Sequence, residues 1–177
     1  VQNARVRAVG EDAGGFKPIS EKDLFDCEYW SLEQAKLGKG AAPKFQGKVV
    51  MITGGSGTIG FAIAKAFSKL GAQTIIVDKD EPSLKKAVNS LGTGHEYLTL
   101  DVTSPEAAEQ AMLGSIQKFG GLDILISNAG TAIGGSIAEV DDKILRQSFE
   151  DNFFSHQNCA SEAIKIMKKQ NIDFLSQ

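Results

Sequence analysis

Gly55, Gly57 and Gly60 stand inside the run VVMITGGSGTIG, Val49 to Gly60, where an apolar strand leads into a glycine turn and then a helix opening at about Thr58. Residues without side chains let the backbone approach a phosphate, and the start of the helix aims unpaired N–H groups and its positive dipole end at an anion. Strand, turn and helix in that order give G-x-G-x-x-G its meaning as a dinucleotide site. Gly54, Gly55, Ser56, Gly57, Thr58, Ile59 and Gly60 are therefore the candidate pyrophosphate cradle.

The next unit supports this reading. The helix from Gly57 to Leu70 places Ile59, Ala62, Ile63, Ala66, Phe67 and Leu70 on one face, which is expected to cover a sheet. Gly71 ends it, Thr74 to Val77 is a short β-branched strand, and Asp78 follows at its carboxyl end, eighteen positions after Gly60. A ribose-binding carboxylate belongs there. Such a carboxylate repels a 2′-phosphate, so NAD is expected as cofactor in preference to NADP, with Lys79 offsetting part of the repulsion. Asp80, followed by Glu81 and Pro82, has the signature of an N-cap.

Strand and helix then keep alternating. Leu84, Ala87, Val88 and Leu91 follow helical spacing, and His95 to Leu100 is expected as the third strand, ended by Asp101 and Val102. Ser104 and Pro105 open a helix through Ala108, Met112, Ile116 and Phe119, which Gly120 and Gly121 stop. Leu122 to Ser127 is the fourth strand, apolar except for Asp123, as in a strand covered on both faces. Right-handed crossovers give an α/β fold, a three-layer Rossmann-type doubly wound parallel sheet, with Asn128, Ala129 and Gly130 on the edge where the first loop also ends. A last helix runs to about Lys169 with Phe149, Asn152, Phe153, His156, Ala160, Ala163 and Met167 on one stripe.

Composition narrows the function. The chain has 177 residues, a net charge of −3 and 42% apolar residues, enough for one sizeable core and without a basic field for nucleic acid. Two distant cysteines, Cys27 and Cys159, argue against a disulfide framework, and neither has the close ligands that a metal site needs. His95 and His156 are expected to be packing residues. No apolar run is long enough to span a bilayer, and the cytoplasm is the expected compartment. Residues 1–43 differ in character: an extended lead, a helical stretch from Asp23 to Leu37, and a linker from Gly38 to Pro43, ahead of a dinucleotide-binding domain over residues 44–177.

Thr53-Gly54 with Gly60, Asp78, Asp101-Val102, the N-A-G of Asn128 to Gly130, and Asn152 in the last helix resemble, in order and spacing, the short-chain dehydrogenase/reductases from about Phe45 to Gln170. The resemblance implies an oxidoreductase acting on a small-molecule alcohol or aldehyde, and a homo-oligomer formed by the complete parent protein. It implies that Asp101 and Val102 contact adenine, that Asn128, Ala129 and Gly130 border the cofactor, and that Asn152 helps to hold a catalytic water. The chain departs from the common T-G-x-x-x-G-x-G by carrying Thr58 in place of the middle glycine. The resulting T-G-x-x-G-x-x-G is the form of the extended branch, which includes sugar-nucleotide epimerases.

DLFDCEYWSLEQAKL, from Asp23, resembles the connecting segment of bifunctional proteins that fuse a class II aldolase to a short-chain dehydrogenase. That resemblance implies lactaldehyde as substrate. The family's chemistry also needs a serine and a Y-x-x-x-K, but Tyr29 and Tyr97 are followed four residues on by Glu33 and Asp101. The residues present are therefore expected to be the front part of a longer enzyme, ending before the strand that carries the catalytic serine and inactive alone. A non-catalytic dinucleotide-binding module is the alternative reading, and an extended-branch epimerase a third.

Overall fold

Five residues, Val49–Thr53, form β1, and all of them are buried, as an apolar run covered on both faces requires. The computed structural model describes residues 42–175 apart from 133 and 137, so nearly all of the N-terminal arm expected from the sequence lies outside the described residues. After β1 come α1 (Thr58–Lys69), β2 (Gln73–Asp78), α2 (Glu81–Leu91), β3 (His95–Thr99), α3 (Pro105–Phe119) and β4 (Ile124–Ile126). The strands are parallel in the order β3-β2-β1-β4, so the sheet reverses its direction of growth at β1. The carboxyl ends of β1 and β4 meet at this switch point, where open α/β sheets bind ligands.

Alternation along the strands supplies two cores. Met51, Ile75 and Val77 pack with Ala108, Ala111 and Met112 of α3, while Ile52 and Ile76 pack with Ala64 of α1 and Leu84 of α2 on the other face. Each such Ile or Met contributes about 1.5–3 kcal/mol relative to exposure. The expected caps form: the Asp80 carboxylate accepts from Ser83 N, and the Ser104 hydroxyl from Ala107 N. Gly120 closes α3 in the left-handed region.

Several details differ from the sequence reading, each for a local reason. Gly60 and Ala64 are the buried residues of α1, and the expected Ile63 and Phe67 pack on the same core, whereas Ile59 is 68% exposed, Leu70 41% exposed, and Ala62 and Ala66 are also exposed. Gly60 must press on the Gly54 backbone, and that contact sets the rotation of the helix. In α3, Gly114 lies against Leu98 and Ile116 is turned out. β4 is shorter than Leu122–Ser127 because side chains take the ladder positions at both ends. Val49 N donates to the Asp123 carboxylate, and Asn128 N donates to Thr53 Oγ1.

The last helix also differs. α4 (Asp142–Phe149), a wide π turn (Glu150–Phe154) and α5 (Ser155–Leu175) follow one another, and α5 continues beyond Lys169. The residues buried on α5 are Ser155, Cys159 and Ala163, with Ile166 and Met167 packed beside them. Phe149 and Phe153, placed on the same stripe by the sequence, are 54% and 58% exposed, and Ala160 is exposed too. The π turn holds an extra residue, so the stripe slips in phase across it.

Candidate functional site

The glycine turn is shaped by what it must touch. Gly54 has φ +63°, and a Cβ there would lie 2.9 Å from Ala129 Cα. A Cβ on Gly55 would lie 2.5 Å from Ile76 Cβ, and one on Gly60 would collide with the Gly54 carbonyl oxygen. Gly57 differs. A Cβ there would make only an ordinary 3.4 Å contact, so the packing need falls on Gly54, Gly55 and Gly60. Gly57 precedes α1 without a side-chain cap, leaving the N–H groups of Thr58, Ile59 and Gly60 without intrahelical acceptors. Thr58 opens the helix itself, at a position where no glycine is required.

These three residues line a cleft of about 380 Å³ at the switch point. Gly54, Gly57, Thr58, Ile59, Gly60 and Asp78 line one side. Asp101, Val102, Asn128, Ala129 and Gly130 line other parts of it, so eleven of the expected cofactor residues share one cleft. Gly55 and Ser56 do not line it. Gly55 N donates to Val77 O, and Ser56 braces Asp78: its hydroxyl donates to Asp78 Oδ2 at 2.5 Å and its N–H at 3.2 Å. Lys79 N donates to the other oxygen at 2.8 Å, so the carboxylate is fixed between the glycine turn and the end of β2.

The N-A-G segment is bound to β1 by side chains. Thr53 Oγ1 accepts from Asn128 N at 2.9 Å and Ala129 N at 3.0 Å, while Asn128 Nδ2 donates to Thr53 O and Gly54 O. Asp101 Oδ1 accepts from Thr103 N and its hydroxyl, which shapes the turn carrying Val102.

Asn152, in the π turn, does not line the cleft. Its Oδ1 accepts from Thr131 N at 3.0 Å and its Nδ2 donates to Thr131 O at 2.9 Å, as a neighbouring strand would. A Cβ on Gly130 would lie 2.7 Å from the same Oδ1. Gln170 repeats the arrangement at the other end of β4, accepting from Leu122 N at 2.8 Å and donating to Leu122 O at 3.0 Å. Between them His156 Nδ1 meets Ser127 Oγ at 2.6 Å, the packing role expected of a histidine here. His95 is likewise internal: Thr74 N donates to Nδ1, which leaves Nε2–H to donate to Ser68 Oγ.

Sequence reasoning missed Val77, Leu100, Thr103, Asp151 and Ser155 as cleft residues. The last two fall on the cleft because of the π turn, which no sequence period announces. Asp151 accepts from Thr131 Oγ1 at 2.7 Å and Gln147 Nε2 at 2.8 Å. These bonds, the one from Thr131 foremost, hold its carboxyl below the usual carboxylate range. Burial pushes the Cys159 thiol up to about 11, which leaves it protonated and unreactive. Among the described residues no group of three His, Cys, Asp or Glu could hold a metal ion.

Residues 48–172 match the short chain dehydrogenase family. The chain belongs to that family. It is 36% identical over 157 residues to general stress protein 39 of Bacillus subtilis (strain 168), covering 86% of this chain and 54% of that protein. It is 32% identical to the oxidoreductase YuxG of the same organism, covering 89% of this chain and 24% of YuxG. The chain thus spans about half or less of the length of these relatives. The crystal structure of L-sorbose reductase from Gluconobacter frateurii, complexed with NADPH and L-sorbose, matches with a TM-score of 0.69 and 31% identity, covering 73% of this chain and 51% of that one. Residues 1–37 match the second domain of class II aldolases. Membership of this oxidoreductase family fits the cleft: a glycine-rich turn at a helix N-terminus suits a nicotinamide dinucleotide. Among the described residues no helix is long and apolar enough to cross a membrane.

Proposed function

We propose that this chain is the cofactor-holding part of an NAD-dependent oxidoreductase acting on an alcohol or aldehyde. The observation that carries the reading is the braced Asp78 carboxylate beside the open N-terminus of α1. In this reading the first-turn N–H groups hold the pyrophosphate, and Asp78 accepts from the adenosine ribose. Asp101 and Val102 border the adenine, and Asn128 to Gly130 form the opposite wall. Asn152 fixes the Thr131 loop and, by family resemblance, helps to hold a water for proton transfer. The bound nicotinamide would supply the hydride acceptor or donor. The similar L-sorbose reductase structure holds NADPH; for this chain the preference for NAD rests on Asp78.

The aldolase-like residues 1–37 support a bifunctional parent, with residues 1–43 as the end of its aldolase part and lactaldehyde as the substrate oxidised. Exposed Phe149, Phe153 and Phe154 support a homo-oligomer. Titration with NADH and NADPH tests the core of the proposal. The protein should bind NADH more tightly, and Asp78→Ala should erase that preference by losing NADH affinity; an equal loss for both dinucleotides would overturn the ribose assignment.

A further inference from the structure

Beside Asp78 the cleft carries a cation, Lys79, that works against exclusion of a 2′-phosphate. Lys79 forms no ion pair among the described residues, so its charge is available to an anionic ligand. Asp151 lines the same cleft from the π turn. Its oxygens accept from two neutral groups, the Thr131 hydroxyl and the Gln147 amide, which orient the carboxylate without cancelling its charge. Lys79 lines the same cleft and is the weakest of the influences on this carboxyl, behind the two hydrogen bonds.

We infer that Asp151 is a specificity-determining residue of this cleft: its negative charge offsets Lys79 and opposes a 2′-phosphate on the adenosine ribose. The inference rests on the proposed dinucleotide site, and it assigns to the π turn a task that no glycine or N-A-G motif covers. With Asp78 and Asp101 it makes three carboxylates against one ammonium around the cleft. The pyrophosphate still binds at the N-terminus of α1, while an added phosphate at the ribose would meet the acidic side. Positioning alone does not account for Asp151, because Thr131 is already held through both its backbone groups by Asn152.

The test is the pair of dissociation constants for NADH and NADPH in the wild type, Asp151→Asn, Lys79→Gln and Asp78→Ala. Asn keeps the acceptor for Thr131 and removes the charge. NADPH affinity should rise about three- to tenfold in Asp151→Asn, as for one charge acting through a solvent-open cleft, and NADH affinity should barely change. Lys79→Gln should move NADPH the other way, and both effects should shrink in high salt. An unchanged NADH-to-NADPH ratio in Asp151→Asn, or equal weakening of both with a lower Tm, would overturn the inference. Asp78→Ala separates the two readings: if it leaves the ratio unmoved while Asp151→Asn shifts it, the ribose assignment falls and this one stands. Absence of measurable binding by either dinucleotide would end both.

Discussion

On the β1 side of the cleft Gly54, Gly55 and Gly60 leave no room for a Cβ, whereas on the β4 side Thr131, Asp151 and Asn152 are joined by side-chain hydrogen bonds on exposed surface. The first wall is made by excluded volume, which tolerates no added atom. The second is made by polar bonds that compete with water, each worth about 0.5–1.5 kcal/mol net. One cleft is thus rigid where the phosphates would lie and more cheaply altered toward its outer edge.

Gly60 carries the largest expected effect. Gly60→Ala should cost about 3 kcal/mol, the upper end for overpacking, because its Cβ meets the Gly54 carbonyl. Gly57→Ala, whose Cβ would make only an ordinary 3.4 Å contact with the Gly54 carbonyl, should cost no more than about 1 kcal/mol. Urea denaturation of the two variants decides the matter, and equal losses would show that the wall is not steric. On the polar side Asn152→Ala should cost about 1 kcal/mol in the same assay, since water replaces the lost partners. A loss as large as that at Gly60 would erase the distinction.

The smallest effect is in pH. Asp151, held below the usual carboxylate range by Thr131 and Gln147, keeps its charge in mild acid, so the polar wall should survive there. His95 should not be so tolerant. Burial lowers its pKa, and its Nδ1 accepts from Thr74 N, a bond that only the unprotonated nitrogen can make. Its neutral form therefore contributes fully above the unfolded value near 6.5, and that stability is lost as pH falls from there toward the lowered folded value. Tm measured between about pH 7.5 and 5.5 should fall more for the wild type than for His95→Gln. Parallel curves would place the acid sensitivity elsewhere.

The same contrast explains what was legible in the sequence. Excluded volume writes glycines at fixed spacings, so the turn, Asp78 and the β/α alternation could be read directly, as could the caps at Asp80 and Ser104. The expected face of α1 holds at Ile63 and Phe67, which pack on the core, but not at Ile59, which looks like a core residue and instead lines the cleft, exposed. Asp151 and Ser155 were not legible, since the π turn that brings them to the cleft is a one-residue change of helical phase. Asn152 was found by resemblance, but its bonds to the Thr131 backbone are visible only in three dimensions.

Those bonds and their counterpart at Gln170 make the last helix a gauge for β4. Asn152 and Gln170 grip Thr131 and Leu122, so eighteen positions of the last helix are matched to nine along β4 and its flanks. Eighteen helical rises give about 27 Å, and nine strand rises about 30 Å. Adding or deleting one residue between the two grips would swing one carboxamide about 100° around the helix and away from its partner. The segment can therefore accept new side chains over much of its surface but not a new length, while insertions between Thr131 and Asp141 escape that constraint.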